Sequence, residues 1–318
     1  MPAEDDILQR LRGRIAAIER AGNGTRAGRA CLPLGVSAID DHLPWGGLAT
    51  GAVHEILDSD DSNRTKPTEN KTKYAVRKRF AEGLGGPVTA FAAALAGQAQ
   101  KARAAPVIWI APRIPERESL YGPGLQEFGL DPADLIIVRI PSDSDFTRTA
   151  LWAMEEALRA PAIGLVCAEI EEIDLTSSRR LQLAAETGGG LGLLLRPAPR
   201  NSLDENALPP TASVSRWRIS ALPGAPADAP WLPERLPGQP RWKAELLRVR
   251  GGRPKTWQLE WRNDGHDTDT GSRPGHDSGK TASGFTLVSP LRDRPVLPET
   301  ARPTVSRGPH GKRQARTG

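Results

Sequence analysis

The residues that could bind a nucleotide phosphate decide what chemistry this sequence allows. A phosphate-binding loop needs G-x-x-x-x-G-K-[ST] between a strand and a helix, because backbone amides hold the phosphates, lysine neutralises charge and the hydroxyl holds Mg²⁺. A suitable strand and helix flank residues 58–86, where the candidate glycines are Gly83, Gly85 and Gly86. Pro87 and Val88 stand where the lysine and the hydroxyl are required. The sequence therefore predicts that tight binding of Mg-ATP has been lost.

Other candidate catalytic residues lack the partners that a reaction needs. Glu169 ends an apolar strand, where an acid could hold a metal-bound water, but no lysine or hydroxyl partner accompanies it. We interpret Glu169 as a strand-end surface residue. His54, Glu55 and Cys167 have no nucleophile-elbow or triad signature around them. We interpret them as structural, with Cys167 in a buried sheet and His54 beside it.

Composition limits the class of protein. Cys31 and Cys167 are the two cysteines, and their wide separation indicates neither a disulfide framework nor a zinc site. The formal net charge of +5 favours an acidic partner such as nucleic acid. The N-terminus is charged throughout, and no stretch approaches the roughly 18 apolar residues of a membrane span. We therefore expect a cytoplasmic protein without a metal or cofactor.

The densest cluster of cations lies in an insertion, residues 58–86, that has few apolar residues and no clear period. This composition predicts an exposed, partly disordered segment. Any DNA binding by the insertion and the basic C-terminal tail should be nonspecific, through contacts with phosphates. The candidate DNA contacts in the insertion are Arg64, Lys66, Lys71, Lys73, Arg77, Lys78 and Arg79.

Most tryptophans cluster near the C-terminal part of the chain, among arginines and lysines. Residues 241–262 alternate around Gly251 and Gly252, as a β-hairpin does. Exposed Trp and Arg side chains are typical anchors of protein interfaces, so we predict a partner-binding hairpin. Two alternatives are that the tryptophans stack on DNA bases, or that they cover hydrophobic edges of their own sheet. The predicted partner-binding residues are Trp242, Arg248, Arg250, Arg253, Trp257 and Trp261.

Strand and helix patterns alternate from Ala52 to Leu195, with helices predicted at about Glu116–Phe128 and at Phe146–Arg159. This alternation predicts an α/β fold with a mostly parallel sheet flanked by helices. The predicted domain organisation has five parts. They are an N-terminal helical arm and linker (1–30, with a helix over 5–20), a core (31–200) with the basic insertion 58–86, a Pro-rich connection (201–240), the C-terminal hairpin (241–262) and a disordered basic tail (263–318).

Several long strings in this sequence resemble the ImuA family of RecA-like proteins. They are LPLGVSAIDDHLPWGGLATGAVHEIL, LYGPGLQEFGLDPADLIIVRI, LWAMEEALRAPAIGLVCAEIEEIDLTSSRRLQLAAE and LGLLLRP, and the similarity extends to about residue 262. The resemblance implies a RecA-like core, induction by the DNA-damage response, and a complex with ImuB, a polymerase-like protein, and an error-prone C-family polymerase. It also implies a degenerate nucleotide site, since Ala111-Pro112 and Leu195-Arg196-Pro197 replace the acid and the sensing residue of RecA.

These observations together predict a RecA-like α/β protein with a C-terminal β-hairpin and a disordered tail. The predicted function is that of a non-catalytic accessory factor in SOS-induced error-prone translesion synthesis, which docks the ImuB-like partner. The rival hypothesis is a DNA-dependent ATPase or recombinase of the RecA class, which the Pro87-Val88 replacement disfavours. A third hypothesis, inhibition of cell division through a tubulin-like protein, has no residue that specifies it.

Overall fold

Strands and helices alternate along the core of the chain. The computed structural model describes residues 30–59, 84, 86–113, 120–142, 145–197, 209–225, 238–262 and 283–288, all within one compact unit, residues 1–288. The strands are β1 (Cys31–Leu32), β2 (Leu48–Ala49), β3 (Ala52–Asp58), β4 (Val107–Arg113), β5 (Leu135–Pro141), β6 (Leu165–Glu169), β7 (Leu191–Arg196), β8 (Ser215–Ala225), β9 (Gln239–Val249), β10 (Lys255–Arg262) and β11 (Gly284–Leu287). The α-helices are α1 (Ser37–Asp40), α2 (Gly86–Ala102), α3 (Gly122–Glu127), α4 (Phe146–Arg159) and α5 (Leu175–Gly188).

One sheet of nine strands, in the order β11-β10-β9-β8-β3-β7-β6-β4-β5, forms the centre of the fold. The six strands from β8 to β5 in this order are parallel, because each connection between them returns the chain to the same end of the sheet. Strands β9, β10 and β11 add an antiparallel extension beyond β8. This arrangement confirms the predicted α/β class, a mostly parallel sheet flanked by helices with a C-terminal hairpin.

The two faces of the sheet carry separate hydrophobic cores, because successive side chains of a strand point to opposite sides. Trp109 and Ile110 of β4 are neighbours in sequence, yet Trp109 packs in the core beneath α2 and Ile110 in the core beneath α4 and α5. We call these sides the α2 face and the α4/α5 face. The parallel strands are buried on both faces, so their sequences are nearly continuous apolar runs.

Two glycines allow close contacts between backbones. A Cβ atom on Gly97 of α2 would lie 2.6 Å from the carbonyl carbon of Gly129, and one on Gly188 of α5 would lie 2.0 Å from Leu158 O. Gly189 then ends α5 with a φ of 77°, a conformation that favours glycine. The glycines at 188 and 189 therefore let the end of α5 meet the end of α4 and turn directly into β7.

The structure differs from the sequence prediction mainly beyond β7. The region predicted as a Pro-rich connection contains β8, in which Trp217 and Ile219 alternate into the core. The region predicted as a disordered tail contains β11, which pairs with β10 and buries Phe285. Helix α3 begins at Gly122, later than the predicted Glu116. The predicted helix over 5–20 and nearly all of the insertion lie outside the described residues.

Candidate functional site

The described part of the segment that was predicted to be a degenerate phosphate-binding loop is the beginning of α2. Gly86 is exposed there, Pro87 is half-buried and Val88 is buried in the core of the α2 face, while Gly83 and Gly85 lie outside the described residues. A pyrrolidine ring and an isopropyl group offer neither a positive charge nor a hydroxyl group to a phosphate. The helix thus begins with apolar side chains where a phosphate-binding loop requires its cation and hydroxyl.

Glu169 lies at the carboxyl end of β6, on the α2 face. It is buried rather than at the surface as predicted, and its Oε1 accepts a hydrogen bond of 2.9 Å from Trp109 Nε1 on β4. Cys167, two residues earlier, is fully buried, and this burial, together with the charge of Glu169, raises the pKa of its thiol well above the usual range. The carboxylate that could have held a metal-bound water is therefore hydrogen-bonded to an indole from a neighbouring strand.

A buried cluster of charges lies on the α4/α5 face, around Glu55 of β3. The Glu55 carboxylate forms ion pairs with Arg196 of β7 and Arg216 of β8, and Arg216 Nε is 2.7 Å from Glu55 Oε2. Thr211 Oγ1 donates a further hydrogen bond of 3.0 Å to Glu55 Oε2. Glu55 has no exposed surface and each arginine is 5% exposed. One carboxylate thus balances two guanidinium groups, and the ionic cluster keeps a formal charge of +1.

Backbone carbonyl groups complete this cluster. Arg196 Nε donates to Glu171 O at 3.1 Å, and Arg216 Nη2 donates to Pro209 O at 2.7 Å. Arg248 Nη2 donates to Ser213 O at 2.7 Å. These bonds fix the segment that precedes β8 against the sheet, which gives the cluster a structural role. Sequence reasoning missed it because Arg196 and Arg216 are 141 and 161 residues from Glu55 along the chain.

His54 points to the α2 face, where hydrogen bonds fix its tautomer. Its Nε2 is 2.9 Å from Ala49 O, which can only accept, so Nε2 carries the proton. Its Nδ1 therefore accepts a hydrogen bond of 2.6 Å from Ser215 Oγ, and the same oxygen accepts one of 2.9 Å from Trp217 Nε1. His54 and Ser215 are each 1% exposed, so no substrate can reach this pair. The two residues are structural, and β7 separates His54 from Cys167 of β6.

The predicted hairpin is confirmed, but its tryptophans are not exposed. Trp242, Trp257 and Trp261 are 2%, 6% and 1% exposed. Trp257 Nε1 donates to Ala38 O at 3.2 Å, and Trp261 Nε1 donates to Glu127 O at 2.8 Å. The prediction of exposed indoles is wrong because the chain around α1, α2 and α3 covers this side of the hairpin. The alternative, that the tryptophans pack on their own sheet, describes their position correctly.

The three arginines predicted to bind a partner are exposed. Arg248 is held by the carbonyl groups before β8, whereas Arg250 and Arg253 belong to the turn between β9 and β10. Arg250 also lines a groove of about 440 Å³ that includes Leu183 and Arg179 of α5. A partner-binding role for these arginines stays a prediction.

The outer surface of α4 and α5 carries two large exposed apolar side chains, Trp152 at 60% and Leu183 at 61%. A groove of about 640 Å³ between the two helices is lined by Trp152, Arg148 and Arg180, among others. Arg180 Nη2 is 2.6 Å from Glu155 Oε2 beneath the groove. Sequence reasoning missed this surface, although a signal was present. The buried residues of α4 follow a helical period, and Trp152 falls on the opposite side.

The seven cations predicted to contact DNA in the insertion lie outside the described residues, so those contacts stay predictions. Within the described ranges, no group of three or more His, Cys, Asp or Glu side chains is arranged to hold a metal ion. The described helices include none that is long and apolar enough to cross a membrane.

Comparisons with known proteins give two curated relatives. Over 277 residues, the chain is 34% identical to Protein ImuA from Caulobacter vibrioides strain NA1000 and, equally, to the same protein from strain CB 15. The alignment covers 86% of this chain and 95% of each relative. No protein-family model matches the chain. Among solved structures, the RadB recombinase is similar with a TM-score of 0.45 and 14% identity, covering 72% of this chain and 95% of RadB.

Proposed function

The chain belongs to the ImuA family, and from this premise we propose that it is a non-catalytic accessory protein of SOS-induced, error-prone translesion DNA synthesis. In this proposal the RecA-like sheet is a scaffold that docks an ImuB-like, polymerase-related protein. Through that partner it joins a complex, the mutasome, with an error-prone C-family DNA polymerase. The protein works in the cytoplasm and performs no chemical step of its own.

The observation that carries the non-catalytic part of this proposal is the chemistry at the beginning of α2. Phosphoryl transfer needs a cation on the phosphates, a ligand for Mg²⁺ and a residue that positions the attacking water. Pro87 and Val88 supply neither of the first two groups, and Val88 is sealed in the core. Glu169 is engaged by Trp109, and β4 ends in Ala111, Pro112 and Arg113 without an acid.

The docking part of the proposal needs an exposed surface with apolar anchors, and we place it on the outer side of α5. Trp152 of α4 lies in the groove on one side of α5, together with Arg180. Arg250 lies in the groove on the other side, together with Leu183. Aromatic side chains and arginines supply most of the binding energy of protein interfaces. This surface includes Arg250 from the predicted partner-binding set, and Arg253 lies in the same turn. It does not include the tryptophans of the hairpin, because they are buried in the core.

A measurement of ATP hydrolysis tests the non-catalytic function against its rival, a DNA-dependent ATPase of the RecA class. Purified protein with single-stranded DNA and Mg²⁺ should release phosphate no faster than the buffer control. A RecA-class ATPase under the same conditions serves as the positive control. Turnover that stays with the protein through repeated purification would overturn the non-catalytic proposal.

Co-purification with the ImuB-like protein tests the docking surface. Trp152→Ala should weaken binding by about 2 kcal/mol or more, roughly 30-fold in Kd, because a central aromatic anchor is lost. Tyr121→Ala is the matched control, since Tyr121 is 71% exposed and precedes α3 on the α2 face. Unchanged binding by Trp152→Ala, with binding lost in an Arg250→Ala/Arg253→Ala variant, would move the surface to the hairpin turn. Absence of any binding by the wild-type chain would refute the docking function.

A further inference from the structure

The burial of the hairpin tryptophans determines what lies on the other side of their strands. Trp217, Trp242 and Trp257 are all in the core of the α2 face. Since side chains alternate along a strand, the residues between these core positions point to the opposite side of the sheet. That side is formed by β8, β9 and β10, whereas the helices α4 and α5 pack on β3 to β6 of the parallel half. The antiparallel extension thus has a polar face that these two helices do not cover.

We call this side the basic strand face and define it by Arg218, Ser220, Arg241, Lys243, Gln258 and Arg262. The strand register brings these residues together, since Ser220 of β8 is opposite Lys243 of β9, and Lys243 is opposite Gln258 of β10. Directly opposed side chains have Cβ atoms roughly 4.5–5.5 Å apart. The donors of three strands therefore form one continuous array.

The charge on the basic strand face is positive. Arg218, Arg241, Lys243 and Arg262 outnumber the two carboxylates on the same side, so the formal charge is +2. Both carboxylates are paired, because Glu245 Oε1 is 2.9 Å from Lys243 Nζ and Glu260 Oε2 is 2.6 Å from Arg241 Nη2.

The charge of this face is available to a ligand, because its outer cations remain accessible. The Lys243 side chain is 42% exposed and the Arg262 side chain is 55% exposed. The positive charge of this face therefore exceeds the negative charge of its carboxylates, and the excess can attract a polyanion.

We propose that the basic strand face binds the phosphate backbone of single-stranded DNA, in addition to the docking function proposed above and independently of it. Arginine, lysine, hydroxyl and amide donors are the groups that contact phosphates in protein–DNA complexes. A flexible single strand can adjust the positions of its phosphates to these cations more readily than a stiff duplex can.

The composition of this face favours a nucleic acid over an acidic protein. Protein interfaces depend on aromatic and apolar anchors at their centre. The large exposed apolar residues in the described part of the chain lie elsewhere, on α4, α5, β5, the start of α3 and the core side of β11. Without an exposed aromatic ring, the face cannot stack bases, so binding should show no sequence preference.

Fluorescence anisotropy with a labelled oligothymidylate of about 30 nucleotides tests the proposal in the full chain. The variant Arg218→Gln/Lys243→Gln/Arg262→Gln removes three cations from the face. Each lost phosphate contact should reduce the log–log salt slope by about 0.7 for a single strand, so the slope should change by about 2. If both affinities converge at 1 M salt, this change means roughly 100-fold weaker binding at 0.1 M. The control Lys101→Gln/Arg113→Gln/Arg139→Gln removes three exposed cations elsewhere.

Equal losses in the variant and the control, or no loss in the variant, would overturn the proposal, as would the absence of DNA binding by the wild-type chain. A duplex of the same length should bind more weakly, and tighter binding to the duplex would overturn the assignment to single strands. Arg218 is half-buried, so Lys243→Gln/Arg262→Gln provides a variant restricted to the more exposed cations, with an expected slope change of about 1.4.

A labelling measurement tests the same face without any substitution. The oligonucleotide should protect Lys243 from an amine-reactive reagent and leave Lys101 on α2 reactive, as read by mass spectrometry of the wild-type protein. Protection of Lys243 by the ImuB-like protein, but not by DNA, would show that the face is a protein interface and overturn the DNA assignment. Loss of partner binding in Trp152→Ala tests the docking surface separately, so the two proposals can fail independently.

Discussion

Replacement of Glu55 by glutamine should destabilise the protein more than removal of either arginine that it pairs with. Glu55→Gln keeps the size of the side chain but removes the charge that balances Arg196 and Arg216. Both guanidinium groups are 5% exposed, so they would remain buried and face each other. Breaking one buried ion pair costs about 3–5 kcal/mol, mainly because an uncompensated charge stays buried. Because both guanidinium groups lose the same counter-charge, we expect a cost at the upper end of this range, about 4–5 kcal/mol.

Equilibrium unfolding in urea, followed by circular dichroism, measures this free energy. Arg216→Met is the comparison, because it leaves Glu55 paired with Arg196 and bonded to Thr211, and it should cost less than Glu55→Gln. Replacing all three charged residues with Leu or Met should recover most of the loss, since buried ion pairs are often no more stable than apolar side chains of similar volume. A Glu55→Gln protein within about 1 kcal/mol of the wild type would refute this reasoning.

Three other predictions follow from burial and packing. Trp257→Ala should lower the free energy of unfolding by about 3–5 kcal/mol, whereas Tyr121→Ala, at a 71% exposed site, should change it by less than about 0.5 kcal/mol, as urea unfolding of both variants will show. Gly188→Ala should lower the melting temperature, because its Cβ would lie 2.0 Å from a carbonyl oxygen of α4 and cost about 1–3 kcal/mol. In the native protein, a thiol reagent should modify Cys31, and Cys167 only after unfolding. Because burial and the nearby carboxylate of Asp40 raise the pKa of the Cys31 thiol, its reaction rate should keep rising with pH beyond the point at which the rate of an unperturbed thiol levels off.

The parallel half of the sheet was predictable because its signals are local. Strands buried on both faces read as apolar runs, and amphipathic helices separate them at regular intervals. The prediction for α4, Phe146–Arg159, matches the observed bounds because an apolar period fills the whole segment and Pro161 follows it. The order of the strands was not predicted, since alternation alone does not say which strands are neighbours.

The candidate sites were harder to predict because they depend on which face a residue occupies. The sequence correctly predicted a hairpin rich in Trp and Arg. It did not predict that Trp257 lies in the core while Arg250 is exposed, because this depends on how β8, β9 and β10 pair. The prolines around β8 led to the prediction of a connection without a strand, although Trp217 and Ile219 alternate into the core. Glu55 looked like an isolated acid because its partners arrive from strands much later in the chain.

The position of β3 has a consequence for how the chain folds. β3 pairs on one side with β7 and on the other with β8, so His54 is opposite Ser215, 161 residues later. Contacts so distant in sequence slow folding, because a long loop must close before they form. During synthesis, one edge of β3 therefore stays unpaired until the ribosome has released the whole of β8, which ends at Ala225. The nascent protein is therefore most exposed to aggregation while its earliest core strand is complete and its last parallel neighbour is still missing.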